Sequence, residues 1–148
     1  MRILWRDVAR FFDESVEGRL PDGYVRGSRA PDGARLVERY QVLGWPVERD
    51  GRPWDGGAPR RAADHELPAV LVRPDPGVSV NLFLWPDDDI AFDVDAREIH
   101  DQRTLDAVCR FLAQTGRALA TDVDLCPEGT TTPFVRYTRQ ADSVGRCP

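Results

Sequence analysis

Lysine is missing altogether: all 20 basic residues are arginine, set against 25 carboxylates for a net charge of −5. Alanine, glycine, proline and aspartate are favoured as well, so the bias reads as GC-rich coding before it reads as function. Histidine is scarce, represented only by His65 and His100, and cysteine is limited to Cys109, Cys126 and Cys147. An odd set of cysteines so widely separated excludes a disulfide framework, and no pair has the spacing of a zinc knuckle. No hydrophobic run approaches the roughly 18 residues a membrane span requires. The start, Met1-Arg2-Ile3-Leu4-Trp5-Arg6-Asp7, acquires charge too early for a signal-peptide core, which makes a cytoplasmic location the expectation. Phosphate cradles are missing too, since Gly23-x-x-x-Gly27 and Gly56-Gly57 lack the strand-loop-helix context and the lysine of a P-loop. There is no serine nucleophile elbow, and no cofactor is expected.

What remains is the composition of a globular chain: 148 residues, 41% hydrophobic and 30% charged, a length that suits one domain. Its acidity is uneven. Residues 1–74 hold 13 arginines against 12 carboxylates, net +1, whereas residues 75–148 hold 7 against 13, net −6. An acidic C-terminal half argues against nucleic-acid binding.

Periodicity predicts a first helix carrying Leu4, Val8, Phe11 and Phe12, ended by Gly18 and Pro21-Asp22-Gly23, then a short strand over Tyr24 to Arg26. Pro31-Asp32-Gly33 opens a second helix, with Asp32 as cap, Leu36, Val37, Tyr40 and Leu43 as its apolar stripe, and Gly44 as its left-handed terminus. A short strand over Trp45 to Glu48 meets the Asp50-Gly51 turn, and residues 51–68 read as one long, glycine- and proline-broken loop. Three strands then follow at short intervals, over Ala69 to Arg73, Val78 to Trp85 and Ile90 to Asp95, the pattern of an antiparallel meander. A long helix over Gln102 to Ala118, capped by Asp101, precedes strands at Val123 to Cys126 and Phe134 to Thr138. Residues 140–148 lack apolar periodicity and read as a flexible tail. The fold class expected is α+β: a single two-layer domain over residues 1–148, with helices on one face of a mostly antiparallel sheet.

Candidate functional residues cluster around Pro86-Asp87-Asp88-Asp89-Ile90-Ala91-Phe92-Asp93-Val94-Asp95. Strand alternation sends Ile90, Phe92 and Val94 to one face, and Ala91, Asp93 and Asp95 to the other. On the preceding strand Val80, Leu82 and Leu84 separate likewise from Asn81, Phe83 and Trp85. If helices cover the aliphatic face, the other presents carboxylates beside two large aromatics, with Asp122 and Asp124 as additions. Phe83, Trp85, Asp87, Asp88, Asp89, Asp93 and Asp95 are therefore the candidate partner-binding set, suited to an arginine- or lysine-rich surface. The competing explanation is that turn aspartates merely solubilise a loop and that the long 51–68 loop covers the aromatics. The segment lacks the glycine and terminal glutamate of a calcium loop, so no metal is expected. A second candidate site is a small-molecule pocket under the 51–68 loop, lined by Trp54, His65, Glu66 and His100. Neither histidine has a nucleophile and orienting partner that the sequence can place, and the acidic surroundings of Cys126 oppose a reactive thiolate.

From Val80 to Tyr137 the order of elements resembles that of small bacterial immunity-type α+β proteins. The residues that carry the resemblance are Asn81-Leu82-Phe83-Leu84-Trp85, Ile90 to Asp95, Ala107-Val108-Cys109-Arg110-Phe111-Leu112, Cys126-Pro127-Glu128-Gly129 and Phe134-Val135-Arg136-Tyr137. The resemblance implies a small, non-enzymatic protein that binds and blocks a basic protein partner such as a toxin, and it transfers no catalytic residue. An enzyme or ligand-binding protein using the loop pocket is the alternative, and a subunit of a larger assembly is a third possibility. The sequence gives no oligomeric state.

Overall fold

Alternating burial along the middle of the chain builds the frame. In the computed structural model, which describes residues 2–54 and 69–148, strands β4 (Ala69–Asp75), β5 (Val78–Phe83) and β6 (Ile90–Val94) run antiparallel in succession. Val70, Val72, Val78, Val80, Leu82, Ile90, Phe92 and Val94 are buried on one side of them. Strands β7 (Val123–Cys126), β8 (Val135–Thr138) and β9 (Ser143–Arg146) form a second antiparallel run. Between the two runs lies β1 (Asp22–Val25), antiparallel to both β6 and β7. On the far side, β2 (Val47–Arg49) and β3 (Arg52–Pro53) extend the first run, giving the order β3-β2-β4-β5-β6-β1-β7-β8-β9 among the described residues. The fold is the expected α+β arrangement of an open antiparallel sheet with helices on one face.

Helix α4 (Gln102–Leu119) supplies most of the second layer. Its N-terminus is closed reciprocally: Thr104 N donates to Asp101 Oδ1 at 2.8 Å, and Asp101 N donates to Thr104 Oγ1 at 3.2 Å. Leu105, Val108, Phe111, Leu112 and Thr115 recur at three- and four-residue intervals on its buried side. At Gly116 the sheet approaches so closely that a β-carbon would fall 2.1 Å from the Tyr137 ring. Helix α3 (Gly33–Val42) lies beside α4, burying Leu36, Val37 and Tyr40. Tyr40 Oη and Thr115 Oγ1, both buried, share a 2.6 Å hydrogen bond between the two helices. Gly44 ends α3 at φ +76° as expected. Asp50 and Gly51, with φ of 53° and 74°, make the two-residue turn between β2 and β3.

Three sequence expectations need correction. The first helix is instead α1 (Trp5–Val8), a 3₁₀ turn (Ala9–Phe12) and α2 (Glu14–Glu17). Asp13 is extended and accepts from Ser15 N at 3.0 Å, so its side chain restarts the helix rather than continuing it. Asp32 does not cap α3; its carboxylate accepts from Arg29 N at 2.9 Å and closes a 3₁₀ turn over Ala30–Asp32. Residues 143–146 are not part of a loose tail but the edge strand β9, paired with β8, and Cys147 N donates to Phe134 O at 3.0 Å. Backbone pairing holds this strand despite its weak apolar pattern. The early strand expected over Tyr24 to Arg26 is β1, two residues earlier at its start, and it is inserted at the middle of the sheet. No helix among the described residues is long and apolar enough to cross a membrane.

Candidate functional site: the open face of the sheet

While α3 and α4 cover one face, the other carries two cross-strand rows fixed by register. One runs Leu71–Asn81–Asp93–Asp22–Cys126, from β4 through β5, β6 and β1 to β7. The next runs Ala69–Phe83–Ala91–Tyr24–Asp124–Arg136. Alternation thus brings Asn81, Phe83, Ala91, Asp93 and Asp124 to a common face, as the sequence predicts, and adds Asp22, Tyr24 and Arg136, which sequence reasoning missed.

Two carboxylates on this face are buried, and they are treated in opposite ways. Asp124 is fully enclosed, at 0% exposure. Arg26 Nε donates to its Oδ2 at 2.7 Å and Arg136 Nε to its Oδ1 at 2.5 Å. Burial pushes its carboxyl up, but the hydrogen bonds and charges of Arg136 and Arg26 more than reverse this, leaving it below the usual carboxylate range. Asp93 is 8% exposed and receives one hydrogen bond, from Asn81 Nδ2 to Oδ1 at 2.9 Å. Burial raises its carboxyl, the Asn81 bond only partly offsets this, and the charges of Asp22, Glu128 and Asp95 raise it further.

Asp95, Asp89 and Asp122 have structural partners. Asp95 accepts from Arg97 N at 2.9 Å, capping the 3₁₀ turn Ala96–Glu98, and is ion-paired with Arg97 and Arg19. Hydrogen bonding to Arg97 holds its carboxyl low. Asp89 accepts from Gly27 N at 3.2 Å, tying the turn before β6 to the end of β1. Asp122 accepts from Arg139 N at 2.8 Å. Asp87, at φ +68°, and Asp88 are exposed in the same turn. Beside it, Trp85 is 40% exposed, and its ring lies parallel to that of Phe83, with centroids 6.5 Å apart and planes within 9°.

The alternative pocket residues are not brought together by the described structure. Trp54 follows β3, packs partly on the core and accepts from Gln41 Nε2 at 3.4 Å through its carbonyl. His100 stands exposed before α4, its Nδ1 3.6 Å from Asp101 Oδ2. His65, Glu66 and most of the 51–68 loop lie outside the described residues. The thiols of Cys109 and Cys126 are pushed up to about 12, in both cases chiefly by burial, which makes them poor nucleophiles. Among the described residues no three His, Cys, Asp or Glu side chains converge as metal ligands. No protein-family model, no curated protein and no solved structure matches the chain.

Proposed function

We propose that this chain is a non-enzymatic protein-binding domain, an inhibitor of the immunity or antitoxin kind, whose open sheet face engages a basic partner. The observation that carries this reading is Trp85: a large aromatic, 40% exposed, backed by the Phe83 ring and bordered by the exposed Asp87 and Asp88. A rigid aromatic pair offers contact area at low entropic cost, and the flanking carboxylates steer a cationic surface toward it. The net −6 of residues 75–148 acts in the same direction.

The test is capture of the partner from the native host by the tagged protein, side by side with Trp85→Ala. Because Trp85 lies outside the core, the variant keeps its thermal melting point. A stoichiometric partner retained by the wild type should be lost or weakened by about 2 kcal/mol, roughly 30-fold in Kd. Equal capture by both proteins removes the reading.

A further inference from the structure

Asp124 displays how this face satisfies a buried carboxylate: two arginines converge on it from neighbouring strands. Asp93 is one row along and two strands over, and among the described residues no arginine is recorded doing the same for it. Arg26 and Arg136 are engaged by Asp124, Arg73 donates to Ser79 Oγ at 2.9 Å, and Arg97 and Arg19 pair with Asp95. Asp93 Oδ2, Asn81 Oδ1 and Asp22 Oδ1 carry no hydrogen bond among the described residues; Asp22 accepts only through Oδ2, from Gly129 N at 2.8 Å. Acceptors without a donor collect at one spot on the row.

The neighbouring row gives that spot an approach. Phe83 and Tyr24 flank Ala91 in register, one on each adjacent strand. Strands lie about 4.8 Å apart, so the two aromatic positions are separated by roughly 10 Å, with only a methyl group on the floor between them. The rings themselves take up about 3.5 Å of that, so a planar group or an alkyl chain enters the gap and stacks on one wall. Along β6, Asp93 lies two residues beyond Ala91, about 7 Å, within the reach of a long side chain laid through the slot.

Resting on the reading of this face as a binding surface, we infer that the partner inserts an arginine side chain between Phe83 and Tyr24, over Ala91, and that its guanidinium ends on Asp93, Asn81 and Asp22. Arginine matches each element. It is a donor with no acceptor, opposite a set of bare acceptors. Its flat head stacks on aromatic faces and forks onto a carboxylate, which the compact ammonium of lysine does not. The incoming guanidinium does for Asp93 what Arg26 and Arg136 do for Asp124.

The probe is the peptide acetyl-Gly-Gly-Arg-Gly-Gly-amide, titrated into the folded protein while amide and Ala91 methyl resonances are followed. Expected are saturable shifts confined to Phe83, Ala91, Asp93 and Tyr24, with affinity about tenfold lower for the citrulline peptide and clearly lower for the lysine peptide. Ala91→Leu, which fills the slot from its floor, and Asp93→Asn, which keeps shape and removes charge, should each weaken the arginine peptide by about tenfold or more. Unchanged resonances elsewhere establish that both variants are folded. The inference is overturned if the arginine peptide leaves these resonances unmoved, if citrulline binds equally, or if both variants bind as wild type. Should the slot variants also retain a captured partner that Trp85→Ala loses, the arginine slot falls and the binding face stands. Retention by all three variants removes both.

Discussion

The open face divides between two buried aspartates. On the β7–β8 side Asp124, at 0% exposure, is neutralised from within the chain; on the β5–β6–β1 side Asp93, at 8%, meets an amide and further carboxylates among the described residues. A buried charge costs free energy unless it is paired, and the sign of its pKa shift records whether the pairing is sufficient. One half of the face is electrostatically closed and contributes to folding. The other has no such internal cation among the described residues.

Breaking the closed half should have the largest effect. Asp124→Ala removes a buried carboxylate and its hydrogen bonds to two part-exposed arginines, and should cost about 1–3 kcal/mol in urea unfolding. Removing the buried carboxyl of the open half should do the reverse: Asp93→Asn should leave stability at pH 7 unchanged or raise it by up to about 1 kcal/mol. A loss comparable to that of Asp124→Ala would show that Asp93 is structurally paired after all.

Acid titration sharpens the contrast through opposite signs. The folded-state value of Asp124 is depressed, so its contribution is present above about pH 4 and is lost as pH falls through that lowered value. The folded-state value of Asp93 is raised, so its contribution is fully present below about pH 4 and is lost as pH rises through the raised value. Urea midpoints between pH 3 and 7 should therefore show Asp124→Ala with a flatter acid decline than wild type. Asp93→Asn should gain on wild type as pH rises; parallel curves would contradict both assignments.

The smallest predicted effect converts one half into the other. Asn81 is directly opposite Asp93, so Asn81→Arg supplies from inside what the open half lacks. A gain of about 0.5 kcal/mol, typical of a cross-strand ion pair, should accompany loss of arginine-peptide binding. Peptide binding that survives this substitution would detach Asp93 from the slot.

The division between faces was legible in the sequence because β5 and β6 alternate without a break from Val78 to Val94 apart from a polar turn, and because Asp101 and the stripe of α4 are local signals. The position of β1 was not. Asp22-Gly23-Tyr24-Val25 alternates well enough to be a strand, yet nothing in four residues names β6 and β7 as neighbours. Tyr24 and Asp22 were missed for that reason. The same holds for the contrast between Asp93 and Asp124: both are aspartates on period-two strands, and what separates them is the arrival of Arg136 from β8 and of Arg26 from 98 residues away. The broken first helix and the β9 edge strand were hidden by a different cause, since a side-chain turn at Asp13 and pure backbone pairing at Ser143–Arg146 leave little mark on hydrophobic periodicity.

The place of β1 also bears on how the chain reaches its fold. The strands β4-β5-β6 and β7-β8-β9 are each joined by near neighbours in sequence over short loops, but in the sheet the two sets meet through the four residues of β1. β1 leaves the ribosome long before either flank exists and must then be captured from both sides, at Gly23 so tightly that a β-carbon would fall 1.9 Å from the Phe92 ring. Closing loops of that length carries an entropy cost that local hairpins do not, so joining the halves around β1 is the natural rate-limiting event of folding.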